Sequence, residues 1–119
     1  MIPATLNITI VRGDTCEIFF RVRGKLSNGQ PGEYVNLTGS IAKSQIRATS
    51  KAPTVSAEFT CSISNQTTVP GGVLLRLTPI QTAAIIESTG MWDVQLDTAT
   101  DTYTYLSGTV TIKDDVTRG

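Results

Sequence analysis

Histidine is absent from this 119-residue chain. That removes the commonest general base and the commonest metal ligand. Serines are plentiful, yet none has a histidine to activate it. The only two cysteines, Cys16 and Cys61, are too far apart in sequence for a zinc knuckle. No glycine-rich loop follows a strand and opens a helix in the manner of a phosphate cradle. Excess positive charge is lacking too. Ten Lys and Arg balance ten Asp and Glu, so the clustered cations that a phosphate backbone requires are missing. No stretch approaches the roughly 18–20 apolar residues of a membrane helix. MIPATLNITI has neither the basic start nor the apolar run of a signal peptide. The expectation is a chain that is not an enzyme, carries no cofactor or metal, and binds no nucleic acid, membrane or small-molecule substrate. A near-neutral surface resists self-association poorly, which suits a chain that works within an assembly.

What is present is β-pattern. The central stretch is VLLRLTPIQTAAIIESTGMWDVQL, Val73 to Leu96. Val73, Leu75 and Leu77 alternate with Leu74, Arg76 and Thr78, the period of a half-buried strand. Thr78-Pro79-Ile80-Gln81 then has the form of a capping box, with proline at the first helical position. TAAIIES continues as a helix former, and Gly90 stands where such a helix should end. Trp92, Val94 and Leu96 resume the strand period and direct the only tryptophan into the core.

The same period recurs along the chain. Leu6, Ile8 and Ile10 mark a first strand. Cys16, Ile18, Phe20 and Val22 mark a second, and Tyr34 to Leu37 a short edge piece. Residues 40–48 form a strand whose two faces are ambiguous. Val55 to Ile63 alternates cleanly, and Tyr103 to Lys113 closes the set. Asn28-Gly29, Pro31-Gly32 and Pro70-Gly71-Gly72 read as breaks, and Thr98 to Thr102 as a hairpin loop. Gly108 in the last strand marks a bulge or a close backbone contact. The expected fold is all-β: an antiparallel sandwich of about seven strands with one short crossing helix near residues 79–87. A small barrel is the alternative. One domain spans 1–119, with a polar tail at 114–119.

Several features admit two readings. Cys16 and Cys61 fall at inward positions, either as reduced core residues or as an inter-strand disulfide. The immunoglobulin disulfide signature is absent, since Trp92 follows both cysteines. Asp97 and Asp101 flank a hairpin without calcium-loop spacing. Arg12-Gly13-Asp14 sits on a turn, where glycine and aspartate serve turn geometry; the same triplet could make a secreted or surface adhesive module. Phe19, Arg21 and Arg23 lie on the outward side of one strand, and Tyr103 and Tyr105 on that of the last. Exposed aromatics and arginine are types enriched at interfaces, so these five are the candidate interface residues.

VRGDTCEIFFRV, VNLTGSIAKSQIR, GGVLLRLTPIQTAAI, GMWDVQL and YLSGTVTIKDDVTR follow one another in that order. The set resembles small β-sandwich proteins and domains coded among tailed-phage structural genes, including the N-terminal domains of baseplate upper proteins. There a GDT turn precedes a strand, an LTG precedes a strand ending in QIR, and an LT..QTA corner precedes a Y/W-D strand. The likeness runs from about Ile10 to Arg118. It implies an Ig-like sandwich and a structural role in a virion, in the tail, baseplate, neck or capsid surface, assembled in the host cytoplasm. It further implies other virion proteins as partners, in a homo-oligomeric or symmetric assembly. The end at Gly119, with no receptor-binding region following, leads us to expect a free-standing component.

Overall fold

A computed structural model describes residues 4–25 and 31–114. Among the described residues the fold is all-β, with eleven strands and one short helix. The strands are β1 Ala4–Thr5, β2 Ile8–Val11, β3 Cys16–Arg21, β4 Arg23–Lys25, β5 Pro31–Tyr34, β6 Ile41–Arg47, β7 Ala57–Glu58, β8 Thr60–Ile63 and β9 Gly72–Leu77. Helix α1, Pro79–Ala83, precedes β10 Thr89–Asp97 and β11 Thr102–Lys113. The Asn28-Gly29 turn and the tail beyond Asp114 lie outside the described residues.

The strands form three sheets. The largest runs β1-β11-β10-β6-β7, with β2 also against β11; the second is β3-β9-β8; the third pairs β4 with β5. The inner residues of the two larger sheets meet in one apolar cluster that includes Ile46, Val73, Leu75, Leu77, Trp92, Val94 and Val110. The expectation of about seven antiparallel strands is therefore corrected. Short strands outnumber it, and β1 and β2 run parallel to β11.

The excess arises where the chain breaks its own alternation. Val55 to Ile63 reads as one strand, but β7 pairs with β6 of the large sheet and β8 with β9 of the second. The chain changes sheets at Phe59, which is buried against Trp92 with ring centroids 6.1 Å apart. A continuous alternation cannot reveal this crossing, since both halves bury the same parity. The first strand is broken at Leu6-Asn7 for a different reason. Gly108 lies so close to Leu6 that a Cβ there would sit 2.1 Å from the Leu6 carbonyl oxygen. That carbonyl accepts a 2.8 Å hydrogen bond from the Trp92 indole N–H. The Asn7 Oδ1 accepts from the Thr109 backbone N–H at 3.0 Å, replacing the ladder bond. Leu6, expected inward, is consequently exposed.

The capping box forms as expected. Gln81 N–H donates to the Thr78 hydroxyl and Thr78 N–H to the Gln81 Oε1. The helix is shorter than expected, ending at Ala83, and Gly90 does not terminate it. Gly90 lies inside β10, opposite Val110, where a Cβ would come within 2.8 Å of the Arg47 carbonyl oxygen. Pro31 opens β5 where a break was the sequence reading; proline tolerates the first position of an edge strand. Tyr34 ends that strand, so no strand covers 35–37, and Leu37 is buried. In β6 the inward face is Ala42, Ser44 and Ile46, and the buried Ser44 hydroxyl donates to the Asp93 carbonyl at 2.7 Å.

Candidate protein-binding faces

β3 places Phe19 on the outer face of the three-stranded sheet. It is registered against Leu74 of β9 and is 55% exposed. Its neighbours on that face are Glu17 and Arg21, opposite Arg76 and Gly72. Arg21 is not free. Its Nε donates to the Pro70 carbonyl at 3.0 Å, and its guanidinium carbon lies 3.5 Å from the centroid of the Tyr34 ring. Arg23 approaches the same ring at 4.9 Å and donates to the Gly32 carbonyl. Two guanidinium groups thus approach one aromatic ring, a cation–π cluster of Arg21, Arg23 and Tyr34. Three of the five sequence candidates therefore share a region, and Tyr34 joins them. The sequence shows Tyr34 only as the first residue of a short edge piece, so nothing there signals its contact with the two arginines.

The other two are elsewhere. Tyr105 is corrected: it packs inward, stacked on Phe20 with centroids 5.6 Å apart. The cause is a register shift. Val94 pairs with Leu106 but Gln95 with Thr104, so Tyr105 is the extra residue of a bulge. The bulge also reverses the parity before it. Tyr103 falls in the row of the buried Leu96, not on the outward row, although it remains 40% exposed.

The Arg12-Gly13-Asp14 turn is tied down. The Arg12 guanidinium donates to the carbonyls of Ile85, Ile86 and Glu87 and pairs with Asp114 at 2.7 Å. Gly13, at φ 87°, supplies the left-handed residue of the turn. Its N–H donates to the buried Thr82 hydroxyl, which donates in turn to the Asp14 carbonyl. The triplet thus clamps the β2–β3 turn to the segment after α1. Cys16 and Cys61 are free thiols. They sit on β3 and β8, on opposite sides of β9 and opposite Leu77 and Leu75 respectively; two strand spacings across and two residues along put them roughly 12 Å apart, beyond disulfide reach. Burial pushes both thiols up, reinforced by Glu17 at one and Glu58 at the other.

Across the molecule, the outer face of β6, β10 and β11 carries a cleft of about 480 Å³. Asp93 lies at its centre, flanked in register by Gln45 and Ser107. Arg47 holds the wall, donating to the Ala52 carbonyl at 2.7 Å and to the Gln45 Oε1 at 3.1 Å. Burial raises the Asp93 carboxyl, with the Arg47 charge opposing. In the sequence these residues are only the outward phase of strands read for their inward phase. Comparison with protein-family models gives no match, and no curated protein is significantly similar to the chain.

Proposed function

We propose that this chain is a non-enzymatic structural component of a tailed-phage virion that binds its neighbours through the outer face of the β3-β9-β8 sheet. The observation that carries the interface is Phe19. It stands half exposed in the middle of a formed strand, beside Leu74 and near the cluster of Arg21, Tyr34 and Arg23. Aromatic and arginine anchors of this kind dominate binding energy where a partner excludes water from them. The virion assignment is supported by the ordered likeness of VRGDTCEIFFRV through YLSGTVTIKDDVTR to phage β-sandwich domains.

The Ig-like reading is supported by connectivity. Taking β1–β2 as strand A, the strands β3, β6, β8, β9, β10 and β11 occupy the places of B to G. B, E and D then share one sheet, and C, F and G the other, which is the immunoglobulin arrangement. Strand A lies against G, and β4–β5 is an insertion between B and C. An adhesive role for Arg12 to Asp14 has little support, because the guanidinium is spent within the fold.

The test is co-sedimentation of tagged protein with purified particles, with a melting curve for each free variant. Phe19→Ser is expected to leave the free protein folded and to lower incorporation about thirtyfold, the equivalent of about 2 kcal/mol. Equal incorporation of the variant rejects this face. Absence of the wild-type chain from particles rejects the virion reading.

A further inference from the structure

We propose that the open edge of β3 pairs with the same edge of a second copy of this chain, antiparallel and two-fold about Phe19. β3 ends the three-stranded sheet, with β9 on one side and no described strand on the other. The Val22 N–H donates to the Gly71 carbonyl at 2.7 Å, and across β9 the Ser64 N–H donates to the Gly72 carbonyl at 3.0 Å. In an antiparallel ladder such bonds recur at every second residue. Cys16, Ile18 and Phe20 therefore turn their backbone groups to β9, and Glu17, Phe19 and Arg21 turn theirs to the open edge. At six residues β3 is longer than β1, β7 and β8, the strands that end the sheets elsewhere among the described residues. It keeps one register with β9 from Cys16 to Arg21. It has no proline, lysine or bulge, the devices that block pairing at an edge.

The order of the side chains identifies the occupant. Along the outer face Glu17, Phe19 and Arg21 read negative, aromatic, positive. Reversed onto itself about Phe19, the strand sets Glu17 against Arg21 of the second copy at both ends, and ring against ring at the centre. Opposite charges and aromatic pairs across strands are stabilising, and like charges there are not. On the inner face the same register sets Ile18 against Phe20, an aromatic and a β-branched residue. Both are only partly buried, as is Cys16, whereas Val73, Leu75 and Leu77 of β9 are 0% exposed. Arg21 keeps donors to spare: its bond to Pro70 uses Nε, and no described residue accepts from its two terminal nitrogens. The proposal deepens the reading of β3 as an interface, yet needs no particle, since the purified chain alone tests it.

The experiment is sedimentation of the purified chain over a range of concentrations, with amide hydrogen exchange at the two extremes. A concentration-dependent dimer is expected, in which the amides of residues 17, 19 and 21 exchange more slowly than in the monomer. Glu17→Arg and Arg21→Glu each set like charges opposite one another at both ends, and each is expected to weaken the dimer about tenfold. Mixing the two variants re-creates both opposite-charge pairs and is expected to restore pairing. Three outcomes overturn the proposal: a chain that stays monomeric throughout, a dimer in which those three amides exchange as in the monomer, or mixed variants that associate no better than either alone. Failure of the particle reading is separate, since it shows only in co-sedimentation with particles.

Discussion

The two larger sheets enclose the same core but are specified differently. The three-stranded sheet faces inward with Ile18, Phe20, Val73, Leu75, Leu77 and Ile63, and no inward amide or hydroxyl among the described residues joins its strands. The six-stranded sheet is pinned by polar side chains reaching another strand's backbone. From buried positions Trp92 bonds Leu6 and Ser44 bonds Asp93, while the exposed Asn7 bonds Thr109. Apolar contact supplies most of the stabilisation in both and is tolerant of direction. A buried polar group is satisfied in one arrangement only, and losing its partner costs the whole desolvation of the atom left behind. The six-stranded sheet therefore holds what apolar packing cannot set by itself: where the parallel edge strand breaks and in which register it resumes.

The largest expected effect falls at the junction of the two modes. Trp92 is buried against Phe59 and also donates to Leu6. Trp92→Ala should cost about 3–5 kcal/mol in equilibrium denaturation. A loss under about 1 kcal/mol would mean that the ring contributes neither packing nor the bond to the edge strand. Gly108→Ala comes next. The added methyl meets backbone, the Leu6 carbonyl, which cannot rotate away as a side chain does. A loss of about 1–3 kcal/mol is expected, with faster amide exchange across residues 4–11. Unchanged exchange there would separate the glycine from the edge strand and remove the contrast between the sheets.

What the sequence made legible follows the same division. Alternation identified the inward residues of β3, β9 and β10, because each keeps one parity throughout. It failed where an extra residue or a crossing resets parity. The bulge at Tyr105 moved two candidate aromatics off the outward row, and the Phe59 crossing divided one apparent strand between two sheets. The capping box at Thr78 was readable because its partners are three residues apart. The Asp93 cleft was not, because its centre is assembled from three strands distant in sequence. Phe19 was legible for a local reason: two adjacent phenylalanines in a strand must point to opposite faces.

The smallest expected effect concerns two carboxylates on β10, and it tests the outer face of the six-stranded sheet. Asp97 is held below its ordinary value, first by the Thr102 hydroxyl bond and then by Lys43. Asp93 is raised, chiefly by burial, despite Arg47. The linkage signs are opposite. For Asp97, stability is present above the unfolded pKa and is lost as pH falls through the lower folded one. For Asp93, the folded state takes up its proton first, so stability rises as pH falls through the raised folded pKa towards the unfolded value. At neutral pH the ionised Asp93 thus costs stability. Asp93→Asn should raise the denaturation midpoint at neutral pH slightly. The gain should be below about 1 kcal/mol, since the group is half open to solvent. The difference from wild type should vanish through the window just above the ordinary carboxylate range, where the wild-type group becomes neutral. Urea denaturation of both proteins at a series of pH values measures that difference directly. A variant less stable than wild type at neutral pH would mean that the attraction of Arg47 outweighs the cost of burial and that the carboxylate is satisfied within the fold.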